Sequence, residues 1–342
     1  MMNNHRYLWV DSLKFLGIFA IYIGHFGQGA GQFYSFVFNY HVPLFFFAAG
    51  FFASYKKDSN IMIFFISKFK RLMLPYFAFA FIVMFINAII SHDKTITLFQ
   101  ACIYILKGIR NDPYVGSIWF FNCLFVTFII DYIFYKIIKN KYFVLLLSIV
   151  SLYITQYILK NNPYISPSWF WNIDSALAYW WLLAFGRCLF NQISHGILFK
   201  RTLFGYSLFL ITFILSLYQL LDSRPLFITI LDEFSIPYDG NKVFSILNIM
   251  ITTLSLVIFN TYIAKYICKF NIINHMGKNT LNICGLEYIT KVFLSSAISI
   301  TGLSLTVDTP VSAVIYTALC VYVANKIGYW LNNNFHGVFS VK

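Results

Sequence analysis

The sequence has little charge, because Asp, Glu, Lys and Arg make up only 11% of its 342 residues. Soluble domains carry about 25% charged residues. Hydrophobic residues make up 59%, aromatic residues make up 21%, and the mean hydropathy is +0.71. These values exclude an ordinary soluble domain. They predict an all-α, polytopic integral membrane protein, built as a single membrane-embedded domain over residues 1–342 with no separate soluble domain.

Acidic residues are the scarcer charged type, at 12 against 25 Lys and Arg, which gives a net charge of +13. In a soluble protein this excess would suggest a nucleic-acid partner. In a membrane protein the positive-inside rule accounts for it, so we expect no nucleic acid as a partner.

Cysteine pairs are also missing, because the six cysteines are scattered singly without a CxxC or metal-ligand spacing. We expect them to be packing residues. The sequence contains no Gly-rich phosphate loop, zinc signature or nucleophile elbow. We therefore expect no bound metal and no tightly bound cofactor.

Long hydrophobic runs are abundant, and they predict ten transmembrane helices with both termini cytoplasmic. With this orientation about three basic residues lie inside for each one outside. The stretch 95–108 is shorter and is expected to be interfacial or re-entrant. The acidic outside connection 222–242 is expected to be a lid or, preferably, a solvated loop. The predicted spans are 8–26, 36–54, 72–91, 114–135, 142–159, 174–190, 200–221, 243–262, 280–300 and 310–330.

The first run contains three ionisable residues, Asp11, Lys14 and His25. Ionisable residues inside a transmembrane helix are costly and therefore indicate function. The spacing of Lys14 and His25 is close to three helical turns, so both project from one face, about 16 Å apart along the axis. The predicted orientation places Lys14 near the cytoplasmic surface and His25 near the outer surface.

Each of these residues has a structural and a functional interpretation. His25 either caps a helix end or acts as a general base, because a neutral imidazole can accept a hydroxyl proton. Asp11 and Lys14 either neutralise each other or present a cation to an anionic ligand. His41 is also on the outer side, either facing His25 or lying in the interface. Pro43 is expected to allow a kink near the start of the second helix.

Later in the chain, Lys68, Lys70 and Arg71 precede Pro75 at the predicted start of a helix. They form either a basic collar or a phosphate-binding cytoplasmic mouth. Several tryptophans are interpreted either as aromatic-belt residues or as sugar-stacking residues. They are Trp119, which is followed by Asn122, and Trp169, Trp171, Trp180 and Trp181. Glu287 and Lys291 are expected to pair within the ninth run.

Taken in order, these residues resemble the acyltransferase family 3 of integral membrane O-acyltransferases, in particular its fucose 4-O-acetylase-like branch. The family opens with an aspartate, then lysine or arginine, ten residues and a histidine, which match Asp11, Lys14 and His25. Two positions differ, because Ala49 stands where serine is usual and Glu287 stands about where the family has a histidine. The later matching blocks are His41-Val42-Pro43-Leu44-Phe45-Phe46 through Gly50-Phe51, then Lys68 and Arg71 before Pro75-Tyr76, then Trp119-Phe120, and finally Gly277-Lys278-Asn279-Thr280-Leu281.

The resemblance implies an acyl-CoA donor used from the cytoplasm and a glycan hydroxyl acceptor at the other face. We expect His25 to activate the hydroxyl, and His41 to orient it or to stabilise the tetrahedral intermediate. Asp11 would orient Lys14. The residues expected to bind acyl-CoA, acetyl-CoA in the first instance, are Lys14, Lys68 and Arg71. The acceptor-site candidates are Trp119, Asn122 and Glu287.

The expected setting is the cytoplasmic membrane, with membrane lipid, glycan and acyl-CoA as partners and with a homo-oligomer left open. Two other functions are considered. An exporter or flippase of a polysaccharide or lipid-linked glycan would often show an internal repeat with broken helices, and the two halves of the sequence show none. An inactive scaffold is disfavoured by the intact Lys14, His25 and His41.

Overall fold

The computed structural model describes residues 6–53, 55, 60–90, 96–194, 196, 202–222, 228, 241–300 and 306–339. The described residues form helices and connecting loops with no β-strand, which confirms the all-α prediction. The helices are α1 (Leu8–Gly24), α2 (Gln32–Phe38), α3 (His41–Gly50), α4 (Ile61–Ile90), α5 (Leu98–Lys107), α6 (Trp119–Ile138), α7 (Lys141–Tyr157), α8 (Ile173–Ser194), α9 (Leu203–Leu221), α10 (Lys242–Ile267), α11 (Asn271–Lys278), α12 (Thr280–Gly285), α13 (Glu287–Ile300) and α14 (Pro310–Asn334).

Within the described ranges, 5 helices are long and apolar enough to cross a membrane. They are α4, α6 together with the turn that precedes it, α9, α10 and α14. This confirms a polytopic membrane protein, while the number ten stays a prediction. Two other predicted spans form shorter helices, since α1 has 17 residues and α3 has 10.

The second predicted span, 36–54, is two helices. The chain leaves helical geometry at Tyr40, where φ is −143° and ψ is −18°. The break therefore comes before Pro43 and not at it. Pro43 lies in the first turn of α3, where backbone N–H groups have no intrahelical partner, so α3 accommodates the proline without the expected kink.

The third predicted span, 72–91, begins earlier, because α4 starts at Ile61. Residues Phe69–Met73 form a π-helical turn inside it. Pro75 explains this turn, because proline has no N–H to donate to the carbonyl group of Arg71, four residues earlier. In transmembrane helices, a local π turn can pair again the backbone groups that a proline leaves without a partner. The prediction that the basic residues before Pro75 lie at a helix start is therefore wrong, because they lie inside the long helix α4.

The ninth predicted span, 280–300, is divided between α12 and α13. Gly285 lies against a buried aromatic ring, because a Cβ atom there would be 2.1 Å from the Phe79 ring. A larger residue would displace that ring from the core, so this helix end requires glycine.

Two shorter predicted segments have different outcomes. The helix expected within 95–108 is present as α5, which opens with a reciprocal capping box between Thr97 and Gln100 and ends at Gly108 in the left-handed conformation. The predicted acidic loop 222–242 lies mostly outside the described residues, including its acidic side chains Asp232, Glu233 and Asp239.

The helices pack into two compact units. In the first, α1 packs against α3, α10 and α11, and in the second, α4 packs against α5 and α6. All six cysteines are free, and four of them are buried, consistent with packing. The first unit comprises Met1–Phe51, Cys188–Thr280 and Thr306–Ala318, and the second comprises Phe52–Arg187, Leu281–Leu305 and Leu319–Lys342.

Candidate active site

The start of α1, in the first unit, holds a buried carboxylate between two cations. Asp11 is only 4% exposed. Its two oxygens lie 2.8 Å from Lys14 Nζ and 2.6 Å from Arg6 Nε. The predicted pair is confirmed, and Arg6 is a second partner that the sequence analysis missed. The Lys14 side chain remains 25% exposed, so Asp11 orients the ammonium group without burying it.

Gly277, the first residue of the last block that resembles the family, lies directly against this end of α1. A Cβ atom at Gly277 would be 1.9 Å from the carbonyl oxygen of Asp11, so the two backbones can approach only with glycine at this position. Ser12 Oγ donates to Asn274 Oδ1 at 2.7 Å, and Asn274 Nδ2 donates to the carbonyl group of Cys268. Two blocks far apart in sequence therefore form one structure around Asp11.

His25 lies at the opposite end of α1, as the residue directly after the helix, and it is exposed. Its backbone N–H still donates to the carbonyl oxygen of Ile21 at 3.1 Å. The helical spacing from Lys14 is thus kept through His25.

His41 begins α3 and is buried. Its Nδ1 atom lies 2.7 Å from the carbonyl oxygen of Val37. A carbonyl oxygen only accepts, so Nδ1 carries a proton and the lone pair of the neutral ring is at Nε2. The Phe38 ring meets the His41 ring edge-on at 4.8 Å between centroids. Val37 and Phe38 also lie against Gly24, the residue before His25, so the end of α1 packs on the same two residues that contact His41.

The loop after His25 is held by the segment that leads into α14. A Cβ atom at Gly29 would lie 2.0 Å from the carbonyl oxygen of Val307. The rings of Phe26 and Tyr316 meet edge-on at 5.5 Å between centroids. The His25 side chain is therefore exposed, while the loop that follows it is packed against the chain around Val307 and Tyr316.

The face of α1 between Lys14 and His25 is apolar and packed. Ile18 and Ile21 lie on it, with exposures of 0% and 4%. These two side chains therefore fill the face between the lysine and the histidine.

Lys68 and Arg71 belong to the second unit, on α4. The Lys68 Nζ atom lies 3.7 Å from the ring centroid of Phe128 and 5.4 Å from that of Phe64, which are cation–π distances. Arg71 lies in the π-helical turn, a feature often found at functional positions. Of the residues predicted to bind acyl-CoA, Lys14 thus belongs to one unit and these two to the other.

Trp119 and Asn122 are packed inside the second unit. Trp119 is 7% exposed, with the Arg110 guanidinium group 4.8 Å from its ring centroid. Asn122 Nδ2 donates to the carbonyl oxygen of Gly108 at 2.8 Å, and Asn172 Nδ2 donates to the same oxygen at 2.6 Å. Asn122 thus holds the end of α5. The burial of Trp119 argues against an aromatic belt there, and Trp180 and Trp181 are buried as well.

Glu287 is the first residue of α13 and is 5% exposed. Lys291 Nζ lies 2.6 Å from its carboxylate, which confirms the predicted pair. A carboxylate at a helix N-terminus is also favoured by the helix dipole. Contact of Trp119, Asn122 or Glu287 with an acceptor stays a prediction.

A further buried ion pair, missed by the sequence analysis, lies in the second unit. Asp131 is fully buried; it accepts from Trp180 Nε1 at 2.8 Å and from the Tyr55 hydroxyl at 2.7 Å, and it pairs with Arg187 Nη1. Burial raises the pKa of Tyr55 well above its usual value, and Asp131 raises it further, so the hydroxyl stays protonated as a donor. The signal in the sequence was a single acidic residue inside the apolar run 114–135.

Within the described part of the chain, no three His, Cys, Asp or Glu side chains come together as a metal site. The family model described as an acyltransferase domain matches the chain over residues 7–325. This range includes both ends of α1 and residues of both units. No curated protein and no solved structure matches the chain.

Proposed function

The chain belongs to the acyltransferase family that matches residues 7–325, and from this premise we propose that it transfers an acyl group, acetyl in the first instance, from cytoplasmic acyl-CoA to a hydroxyl group of a cell-surface or lipid-linked glycan. Family membership and the apolar helices make it a membrane acyltransferase. The donor, the acceptor and the acetyl group are the proposed part. The observation that carries the proposal is α1, with a cation held by Asp11 at one end and the exposed His25 directly after the other end.

In the proposed reaction His25 removes the proton from the acceptor hydroxyl group, and the hydroxyl oxygen attacks the carbonyl carbon of the thioester. A C–O bond forms, the C–S bond breaks, and the proton passes to the CoA thiolate, so that free CoA leaves. The exposure of His25 at a helix end supports this role, because a bulky glycan can approach it.

His41 is better suited to orienting than to stabilising an oxyanion. Its Nδ1 proton is directed to Val37, so the neutral ring offers a lone pair at Nε2 and no second donor. An oxyanion requires donors. We therefore propose that His41 accepts a hydrogen bond that orients the acceptor hydroxyl or His25.

On the donor side, the proposal gives phosphate-binding roles to Lys14 in the first unit and, separately, to Lys68 and Arg71 in the second. Coenzyme A is polyanionic, and cations with directed N–H groups recognise its phosphates. Because Ile18 and Ile21 are packed, an acyl arm that follows α1 must displace these side chains. The proposed setting is the cytoplasmic membrane, and acetyl-CoA is a substrate there and not a resident cofactor.

Replacing Lys14 tests the donor role. Lys14→Ala is expected to raise the KM for acetyl-CoA about tenfold or more, because one charged contact to a phosphate is lost. Lys14→Arg should retain most activity. Arg6 still compensates Asp11 in both variants, so the fold should be kept. Initial rates against acetyl-CoA concentration measure the effect, with Lys326→Ala at an exposed lysine as the control. An unchanged KM in Lys14→Ala would refute this role.

The alternative function is an exporter or flippase of a polysaccharide or lipid-linked glycan. Purified protein in liposomes, supplied with labelled acetyl-CoA and a lipid-linked glycan, distinguishes the two. We expect label in the glycan only when both substrates and the protein are present. Movement of the glycan across the bilayer without any labelling would contradict the transferase proposal and favour the exporter.

A further inference from the structure

The Arg187 side chain has one hydrogen-bonding edge that no residue in the described part of the chain uses. Its Nη1 atom pairs with Asp131, and the side chain is 8% exposed. Its Nε and Nη2 atoms are buried and have no hydrogen-bond partner among the residues that the structure describes. The Nε–H and Nη2–H groups form the side of the guanidinium plane that binds a phosphate or carboxylate through two parallel bonds. Leaving buried N–H groups unpaired is destabilising, so this edge suggests a ligand.

The surroundings hold the guanidinium group in place for such a ligand. Asp131 already accepts from Trp180 and Tyr55, so its carboxylate is well satisfied. The Arg187 Cζ atom lies 4.8 Å from the ring centroid of Tyr135 and 5.9 Å from that of Tyr55. These rings pack against the guanidinium face, and the Nε/Nη2 edge remains for hydrogen bonding.

Two more cations lie on the same aromatic cluster. Phe64 stacks on Tyr132 at 4.4 Å between centroids and lies 5.5 Å from Tyr55. Lys68 Nζ is 5.4 Å from the Phe64 centroid, and Lys136 Nζ is 5.5 Å from the Tyr132 centroid. Because Asp131 neutralises Arg187, these lysines supply the net positive charge that an anion needs. The positive-inside count assigns this part of the chain to the cytoplasmic side.

We propose that the Nε/Nη2 edge of Arg187 binds a phosphate group of the acyl-CoA donor. The inference rests on the proposed function, because it takes acyl-CoA as the donor. Acyl-CoA presents phosphate oxygens in the geometry that the edge requires, and it is cytosolic. A phospholipid headgroup offers the same phosphate chemistry, so the experiment must separate the two sources.

The experiment measures the dissociation constants of acetyl-CoA and of S-acetylpantetheine, which has no phosphate, by titration of purified full-length protein. Arg187→Lys keeps a cation beside Asp131 but removes the two-bond edge. We expect it to weaken acetyl-CoA binding about tenfold or more and to leave S-acetylpantetheine binding unchanged. The matched control is Arg110→Lys, which makes the same substitution at another arginine. The Arg110 side chain donates to the carbonyl groups of Pro163 and Tyr164, so its hydrogen bonds go to the protein itself. The control should leave the ratio of the two constants at its wild-type value.

Each other outcome overturns the inference in an identifiable way. Equal binding of acetyl-CoA by Arg187→Lys and wild type, or an equal loss for both ligands, would refute a phosphate contact. A lipid site would give a different result. Wild-type protein would then be more thermally stable in phosphatidylglycerol vesicles than in phosphatidylcholine vesicles, and Arg187→Lys would lose this difference while still binding acetyl-CoA. In that case the site binds lipid and the donor assignment is wrong. If wild type binds no acetyl-CoA, the proposed function itself fails.

A folding defect in Arg187→Lys would not end the test. The double variant Asp131→Asn/Arg187→Met removes both charges together and leaves neither one buried alone. We expect the same selective loss of acetyl-CoA binding, and a wild-type ratio of the two constants would overturn the proposal.

Discussion

Replacing His25 by alanine is expected to lower acyl transfer about 100-fold or more, because general-base catalysis contributes about 10²–10⁴-fold. His25 is exposed directly after α1, so the truncation removes an imidazole without opening a cavity in the core. Expression, detergent behaviour and acetyl-CoA binding should therefore stay at wild-type values. The measurement is initial-rate transfer from labelled acetyl-CoA to the glycan in liposomes.

His336→Ala provides the matched control, because it truncates another exposed histidine and should leave the rate unchanged. His41→Ala is a less direct probe, since this ring is 5% exposed and bonded to the Val37 carbonyl group. Its loss also disturbs packing. Transfer at the wild-type rate by well-folded His25→Ala protein would exclude the base role and leave His41 as the alternative base.

The second large effect is expected on stability, at Asp131. Asp131→Ala should lower the free energy of unfolding by about 3–5 kcal/mol, because breaking a buried ion pair leaves the partner charge uncompensated. Here the partner is Arg187, and the Tyr55 hydroxyl and the Trp180 N–H group would also lose their acceptor. Denaturant unfolding in detergent, followed by tryptophan fluorescence, measures the change.

Two comparison variants test whether the buried charge causes this loss. Asp308→Ala removes an exposed carboxylate that accepts a hydrogen bond from the Thr306 hydroxyl group, and it should change the free energy of unfolding by less than about 1 kcal/mol. Asp131→Asn/Arg187→Met should recover much of the loss, because no isolated charge remains. An Asp131→Ala protein as stable as wild type would show that this ion pair does not support the fold.

Contacts within one helix were predictable from the sequence. The pairs Asp11–Lys14 and Glu287–Lys291 are confirmed, because residues three or four apart on a helix are neighbours whatever surrounds them. Helix ends were less predictable. Hydropathy alone does not register the change of backbone direction at Tyr40 or the π-helical turn before Pro75, since the residues on both sides of each are apolar.

Composition and hydropathy were enough to establish the class of the protein. Scarce charge and long apolar runs predict a helical membrane protein. A long apolar run that crosses lipid must pair its own backbone polar groups, and a helix does so within the run. The contacts between residues far apart in sequence, such as Gly277 against Asp11 and Arg187 on Asp131, are seen only in the folded chain. Such contacts depend on which helix faces pack together, and that choice is made by all the helices at once rather than by any one stretch of sequence.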